Sequence, residues 1–409
     1  MLDIDFARTW FPALQTPWAL FDNAGGSVPA RPVIERVAAY MSTHAVQLGA
    51  SYDLSVAAGA AVEAGRGAAA RLLGADVDET VLGPSATALT GRLAAALVPT
   101  WRAGDEVIVT NLDHEANVGA WRRLEAQGIV IREWRFRPET MRLELDDLEE
   151  LLSDRTRLVA FTHCSNVVGT IHDVPEITAR IRRAGALSCV DGVAFAPHRR
   201  VEVRALGADF YVASLYKVFG PHVGVLYGRR EALLEGRNVN HFFVGDGKTT
   251  YKYEPGGVMH EAVAGLVGIS DYLDAIHVYH GGNASAAASE RTEHAFDLFA
   301  DAEARLVAPL LEFLRSAPRV HVLGSTSSDR ATRVPTVAFT VDGCHASDVP
   351  AALDLEQIAI RFGHFYAYRA VEALGLHERG GVVRASLLHY NTPSEVDRLI
   401  ASLDAFLAP

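Results

Sequence analysis

The chain has 409 residues, 49% hydrophobic and 22% charged, with a formal net charge of −12. That length exceeds one ordinary core and predicts two domains, and the composition is that of a folded protein, neither disordered nor fibrous. No basic stripe offsets the acidic balance, which argues against nucleic acid as the main partner. Met1-Leu2-Asp3-Ile4-Asp5 lacks the basic start of a signal peptide, and the apolar segment from Val56 to Ala75 is broken by Glu63, Arg66 and Arg71. Neither a leader nor a membrane span is expected, and the cytoplasm is the expected location. Cys164, Cys189 and Cys344 are too few and too scattered for a disulfide framework or a metal site.

In chain order, Gly83-Pro84-Ser85-Ala86-Thr87 leads into a helical Leu89–Leu97. Small residues and a hydroxyl at a helix start suit a phosphate, although the same pattern also makes an ordinary cap. A strand over Glu106–Thr110 runs into Asp113-His114-Glu115-Ala116-Asn117, and a helix over Glu115–Gln127 should stop at Gly128. A strand over Leu158–Thr162 is followed by His163-Cys164-Ser165-Asn166, then a helix over Val174–Arg183 stopping at Gly185. Leu187–Val190 ends at Asp191-Gly192, Phe210–Ala213 ends at Ser214-Leu215-Tyr216-Lys217, and Gly224–Tyr227 completes the series. These runs are short, rich in Val, Leu and Ile, and without polar alternation, as strands buried on both faces should be. Strand-helix-strand repetition predicts an α/β domain with a mainly parallel sheet, whose ligands bind beyond the carboxyl ends of the strands.

After about residue 285 the texture changes. A long helix over Ser285–Ala317 precedes strand-like His321–Leu323 and Thr336–Val341, then a helix near Ala346–Leu353. Arg361-Phe362-Gly363-His364 reads as a loop, Val382–Ser386 follows, and Thr392-Pro393-Ser394-Glu395 opens a final helix with a capping box. The expected organisation is an N-terminal segment 1–25, a large domain 26–284 and a small α+β domain 285–409.

Lys217 at one strand end and Asp191 at another are poorly explained by solubility. An amine and a carboxylate so placed are what pyridoxal phosphate requires. The amine condenses with the cofactor aldehyde, and the carboxylate keeps the pyridine nitrogen protonated. His114 could stack on a flat ring or move protons, and Asn166 could donate to a ring oxygen or be a plain turn residue.

Through Phe21-Asp22-Asn23-Ala24-Gly25, Asp113–Asn117, Thr162–Thr170, Val190-Asp191-Gly192, Ser214–Gly220, Arg384-Ala385-Ser386-Leu387 and Tyr390-Asn391-Thr392, the chain resembles a known family over nearly its whole length. It is similar to the class V aminotransferase group of fold-type I pyridoxal phosphate enzymes, in the cysteine desulfurase and selenocysteine lyase-like branch. The resemblance implies a mainly parallel sheet of seven strands between helices. It implies that Lys217 carries the cofactor and shuttles protons, that Asp191 pairs with the ring nitrogen, and that His114 stacks over the ring. Ala86, Thr87 and Ser214 would hold the phosphate, Asn166 would neighbour the phenolic oxygen, and Arg384 would clamp the substrate α-carboxylate. Asn23, His364 and Tyr366 would border the substrate. A homodimer with sites at the interface is implied, with Glu254-Pro255-Gly256-Gly257 where the partner subunit approaches the phosphate.

The departures bear on the reaction. Desulfurases of this branch carry a nucleophilic cysteine in a loop reading Arg-x-Gly-His-x-Cys, and here Tyr366 stands at that position. Tyr216 replaces a usual histidine, Ala194 a usual glutamine, and Gly257 an expected threonine. A phenol cannot take up sulfur as a persulfide. Elimination at Cα/Cβ of a small sulfur-containing or polar amino acid, without an enzyme persulfide, is the expectation. Transamination, epimerisation and a cofactor-bound non-catalytic binding role stay open. Tyr216, His364 and Tyr366 are either acid-base groups or pocket wall.

Overall fold

The computed structural model describes residues 1–408. Seven strands form the main sheet: β1 (Thr80–Gly83), β2 (Glu106–Thr110), β3 (Val130–Trp134), β4 (Thr156–Thr162), β5 (Leu187–Asp191), β6 (Phe210–Ser214) and β7 (Gly224–Gly228). Their spatial order is β1-β7-β6-β5-β4-β2-β3. Strand β7 runs antiparallel to both neighbours and the other pairings are parallel. Every residue of β1, β2, β6 and β7 is buried, which explains the unbroken apolar runs in the sequence.

Helices α1 (Ala86–Leu97) and α2 (Val174–Arg183) pack beside this sheet. Ser85 caps the first by accepting from the Ala88 N–H at 3.1 Å, and Asp173 caps the second through Glu176 at 3.2 Å. A single helix over Glu115–Gln127 is not what forms. That stretch is broken into Glu115–Asn117, Gly119–Arg122 and Arg123–Gln127 before Gly128 turns the chain at φ +83°. The break begins where the side chain of Asp113 and the ring of His114 take up nearby N–H groups, Asn117 Nδ2 at 2.7 Å and Ala116 N–H at 3.1 Å.

The long helix α3 (Ala288–Ser316) leads to a second, antiparallel sheet of β8 (Val320–Val322), β9 (Thr336–Val341), β10 (Arg361–Gly363) and β11 (Val382–Ser386), in the order β10-β11-β9-β8. Residues 361–363, expected as loop, are therefore an edge strand. The terminal helix α4 (Pro393–Leu407) has the expected capping box, with Glu395 N–H on Thr392 Oγ1 at 3.1 Å and Thr392 N–H on Glu395 Oε2 at 3.0 Å. Near the N-terminus, Ala19–Leu20 pairs in parallel with Ile358–Ala359, which carries Asp22 to the end of β11. No helix among the described residues is long and apolar enough to cross a membrane.

Glycine has a positional meaning where β7 begins. A Cβ on Gly224 would lie 2.5 Å from the Ser85 carbonyl carbon and 2.8 Å from the Ala86 nitrogen. Both contacts are backbone, so neither can yield cheaply. Gly224→Ala should push the α1 start off the sheet and destabilise the fold by about 1–3 kcal/mol. Thermal unfolding of the variant checks this, and an unchanged midpoint would refute it.

Candidate active site

The carboxyl ends of five strands and the segments just beyond them line one cavity, as in open parallel sheets. Its lining includes Ser85, Ala86 and Thr87 beyond β1, His114 beyond β2, Asn166 beyond β4, Asp191 ending β5, and Ser214 and Lys217 at and beyond β6. A second cavity shares His114, Asn166, Tyr216 and Lys217, and adds Ala24, Gly25, Arg361, Phe365, Tyr366 and Arg384.

Lys217 is only 6% exposed. Burial, then the nearby Arg384 charge, lowers its ammonium to about 8 against a partial offset from Asp191. Roughly a tenth is therefore the neutral amine at pH 7, and about half at pH 8. Asp191 is buried too, and loss of water raises its carboxyl to about 6 although Oδ1 accepts from the Val193 N–H at 2.8 Å. It is a buried acid with one backbone donor and no ion-pair partner among the described residues. Asp113, below it, is raised further, to about 8, by burial against the lowering effect of Asn117 and Thr110.

His114 is lowered to about 4, chiefly by burial and then by Lys217 and Arg384. Its Nδ1 accepts from Ala116, so the proton of this neutral imidazole sits on Nε2. Its ring lies 5.2 Å from that of Tyr366 at 35°. Asn166 is more committed than expected: Nδ2 donates to the Phe365 carbonyl at 2.9 Å, and its own carbonyl accepts from Arg384 Nη1 at 2.9 Å. Asn166 thus ties the 361–366 segment to the sheet.

Arg384 lies in β11, 2% exposed, with its guanidinium carbon 3.8 Å above the Phe365 ring. Nη2 meets Asp22 Oδ1 at 3.0 Å, and Nε is buried without a partner. Burial is the main reason that its pKa falls to about 10. Phe365 and Tyr366 hold φ of 51° and 60°, a left-handed pair of bulky residues. Such strain costs about 1–3 kcal/mol per residue and persists where surroundings enforce it. Here the enforcers are Asn166 on the Phe365 carbonyl and Glu115 N–H on the Tyr366 carbonyl at 2.8 Å.

The structure brings together Ala86, Thr87, His114, Asn166, Asp191, Ser214, Lys217, Tyr366 and Arg384, but the expected substrate residues Asn23 and His364 lie outside both cavities. Asn23 spends Nδ2 on Leu20, Ser386 and Asn391, and its Oδ1 accepts from Tyr390 at 2.6 Å. It anchors the N-terminal segment and borders neither cavity. His364 accepts the Tyr366 N–H at 3.1 Å and packs on Tyr368 and His377. Gly257, at φ +78°, lies outside both cavities of its own chain. Asp22, Arg361 and Phe365 join the site beyond the residues expected from sequence. Asp22 was legible as the neighbour of Asn23, but its contact with Arg384 depends on chain segments hundreds of residues apart.

Pyridoxal phosphate fits these residues. Lys217 offers an amine with no hydrogen-bond partner among the described residues, and Asp191 lacks the cation that a protonated ring nitrogen would supply. The amides of Ala86 and Thr87 open a capped twelve-residue helix toward a phosphate, beside the Ser214 hydroxyl.

A model of the family described as "Aminotransferase class-V" matches residues 19–399. The chain is 39% identical to the aminotransferase-like protein FGM3 of Gibberella zeae, over 99% of this chain and 98% of that protein. It is 34% identical to the cysteine desulfurase-like protein ustD of Aspergillus flavus, over 99% of this chain and 90% of that protein. Among solved structures, a cysteine desulfurase from Thermococcus onnurineus superposes with a TM-score of 0.87 at 26% identity, covering 100% of this chain and 98% of its own.

Proposed function

The chain belongs to the class V aminotransferase family, whose members depend on pyridoxal phosphate, and from that premise we propose that it eliminates a β-substituent from a small sulfur-containing or polar amino acid. Bound pyridoxal phosphate supplies an electron-accepting ring that stabilises negative charge at the substrate Cα. The protein does the rest. Arg384 takes the α-carboxylate with the donors that Asp22 and Asn166 leave free. The Lys217 amine, neutral for much of its time near pH 8, removes the Cα proton. Asp191 holds charge at the ring nitrogen, and neutral His114 covers the ring without adding a cation.

The observation that carries this reading is the state of the thiols. Cys164 borders the cofactor cavity, but burial pushes it up to about 12, and its Sγ lies 3.3 Å from the Gly169 carbonyl. Cys189 is locked inside β5 and Cys344 lies far off beside Arg319, and the resemblance to desulfurases puts Tyr366 where they carry their thiolate. A departing sulfur would therefore leave the enzyme free. Residues 1–25, 26–284 and 285–409 act as arm, large domain and small domain in this reading. Phe242 and Phe243, 96% and 71% exposed, support a second copy covering that face.

Aminotransferase is the second reading, favoured by the description of FGM3. Incubating holoenzyme with cysteine, cystine, alanine and polar amino acids separates the two. Elimination gives a keto acid and ammonia with no added keto acid, and no alkylatable persulfide on the chain. Strict dependence on an added keto acid would overturn the elimination reading.

A further inference from the structure

Few of the side chains that border the second cavity, on the Arg384 side, can give up a proton. Arg361 and Arg384, which share the Asp22 carboxylate at 3.4 and 3.0 Å, hold theirs too tightly. His114 is a neutral ring, and Lys217 is the base that takes a proton from Cα. Two phenols are left, Tyr216 and Tyr366.

Their settings differ. The Tyr216 ring stacks on His222 at 4.7 Å and 5°, and Gly26 packs so close that a Cβ there would lie 3.1 Å from the ring. Pinned in this way, it walls both cavities, and burial followed by the Asp191 charge makes its phenol a weaker acid than usual. Tyr366 borders the second cavity alone and is 65% exposed. Its hydrogen bonds are backbone ones, N–H to His364 Nδ1 at 3.1 Å and carbonyl from the Glu115 N–H at 2.8 Å, which leaves the hydroxyl free. Those bonds hold Tyr366 at φ 60°, a backbone shape that glycine ordinarily takes and tyrosine avoids. A loop that needed only this turn would be served by glycine. A large polar ring kept there against its backbone preference points to a role for the ring itself.

Resting on the elimination reading, we propose that Tyr366 is the acid that protonates the departing β-substituent, and that the substrate carries a β-group leaving as a neutral hydroxyl or thiol compound. Lys217 takes the Cα proton, and the electron pair of that C–H bond becomes the second bond between Cα and Cβ. The Cβ–O or Cβ–S bond breaks with its pair going to the heteroatom, which receives the Tyr366 proton. The phenolate then regains a proton from water, which its exposure allows. Base and acid are separate groups, so Lys217 need not surrender the proton it has just taken.

The test is keto acid release by wild-type and Y366F holoenzyme from β-chloroalanine, cysteine and serine, whose leaving groups differ. Chloride departs unaided, whereas hydroxide does not. Y366F should lose about a hundredfold in kcat with serine, the scale of a positioned acid, and at most about threefold with β-chloroalanine, at little-changed KM. Cysteine should fall between them. A merely structural role would lower all three alike, and that outcome, or an undiminished rate with serine, would overturn the proposal. So would a wild type that turns over β-chloroalanine but neither cysteine nor serine. A wild type that releases no keto acid even from β-chloroalanine would instead bring down the elimination reading itself.

Discussion

Lys217→Ala is expected to lower turnover by about a thousandfold or more while the chain remains folded. A positioned base contributes roughly 10²–10⁴-fold to proton transfer, and here the same amine also fixes the cofactor. Folding should tolerate the change, because the side chain ends in a cavity, makes no hydrogen bond through Nζ, and is held there at the cost of its hydration. Borohydride should no longer attach the cofactor to the variant, as the mass of the intact chain would show. In wild-type apoprotein the rate of cofactor capture should rise with pH and level off near 8, because the neutral amine is the nucleophile and burial has lowered its pKa to about that value. A rate still climbing at pH 10 would mean an ordinary lysine. A borohydride-stable adduct in the variant would place the attachment at another residue.

That prediction was within reach of the sequence for a physical reason. Parallel strands buried on both faces are written as continuous apolar runs, so the residues just after them are visible as strand ends. Asp191 and Ser214 are the last residues of β5 and β6, and Lys217 lies just beyond Ser214. The substrate side was harder. Arg361 stands in a three-residue edge strand, too short to show a period, and its pairing with Arg384 is a matter of register across distant segments. Asp22 reaches both arginines only because Ala19–Leu20 pairs with Ile358–Ala359. Asn23 illustrates the converse error. A polar residue beside a site can be wholly consumed by local structure, and its hydrogen-bond partners become known only with the fold.

Asp191→Asn should affect apoprotein and holoenzyme in opposite directions. Without cofactor the Asp191 carboxyl is raised from 3.8 to about 6, so the folded chain holds its proton across a pH window in which the unfolded chain has released it. Stability contributed at this position therefore falls as pH rises from about 4 to about 6, and above that the folded state carries the cost of a buried charge that Lys217 and one N–H only partly offset. Asparagine keeps an oxygen for the Val193 N–H and removes the charge. At pH 7.5 the apo variant should be more stable than apo wild type by on the order of 3 kcal/mol, with the gap closing near pH 4. Asp113, raised to about 8 by burial and in smaller part by Asp191, stays protonated between pH 4 and 6 in both proteins. With cofactor bound the order reverses. The wild-type carboxylate gains a protonated ring nitrogen as its partner, whereas the amide cannot hold that proton in place. Turnover should drop by roughly 10²–10³-fold, the scale on which a lost electrostatic stabiliser acts. Denaturant melts of both proteins at pH 4 and 7.5, with and without pyridoxal phosphate, test the crossing. An apo variant less stable than wild type at pH 7.5 would show that Asp191 already has its counter-charge within the chain, and the fit of the cofactor would lose its strongest support.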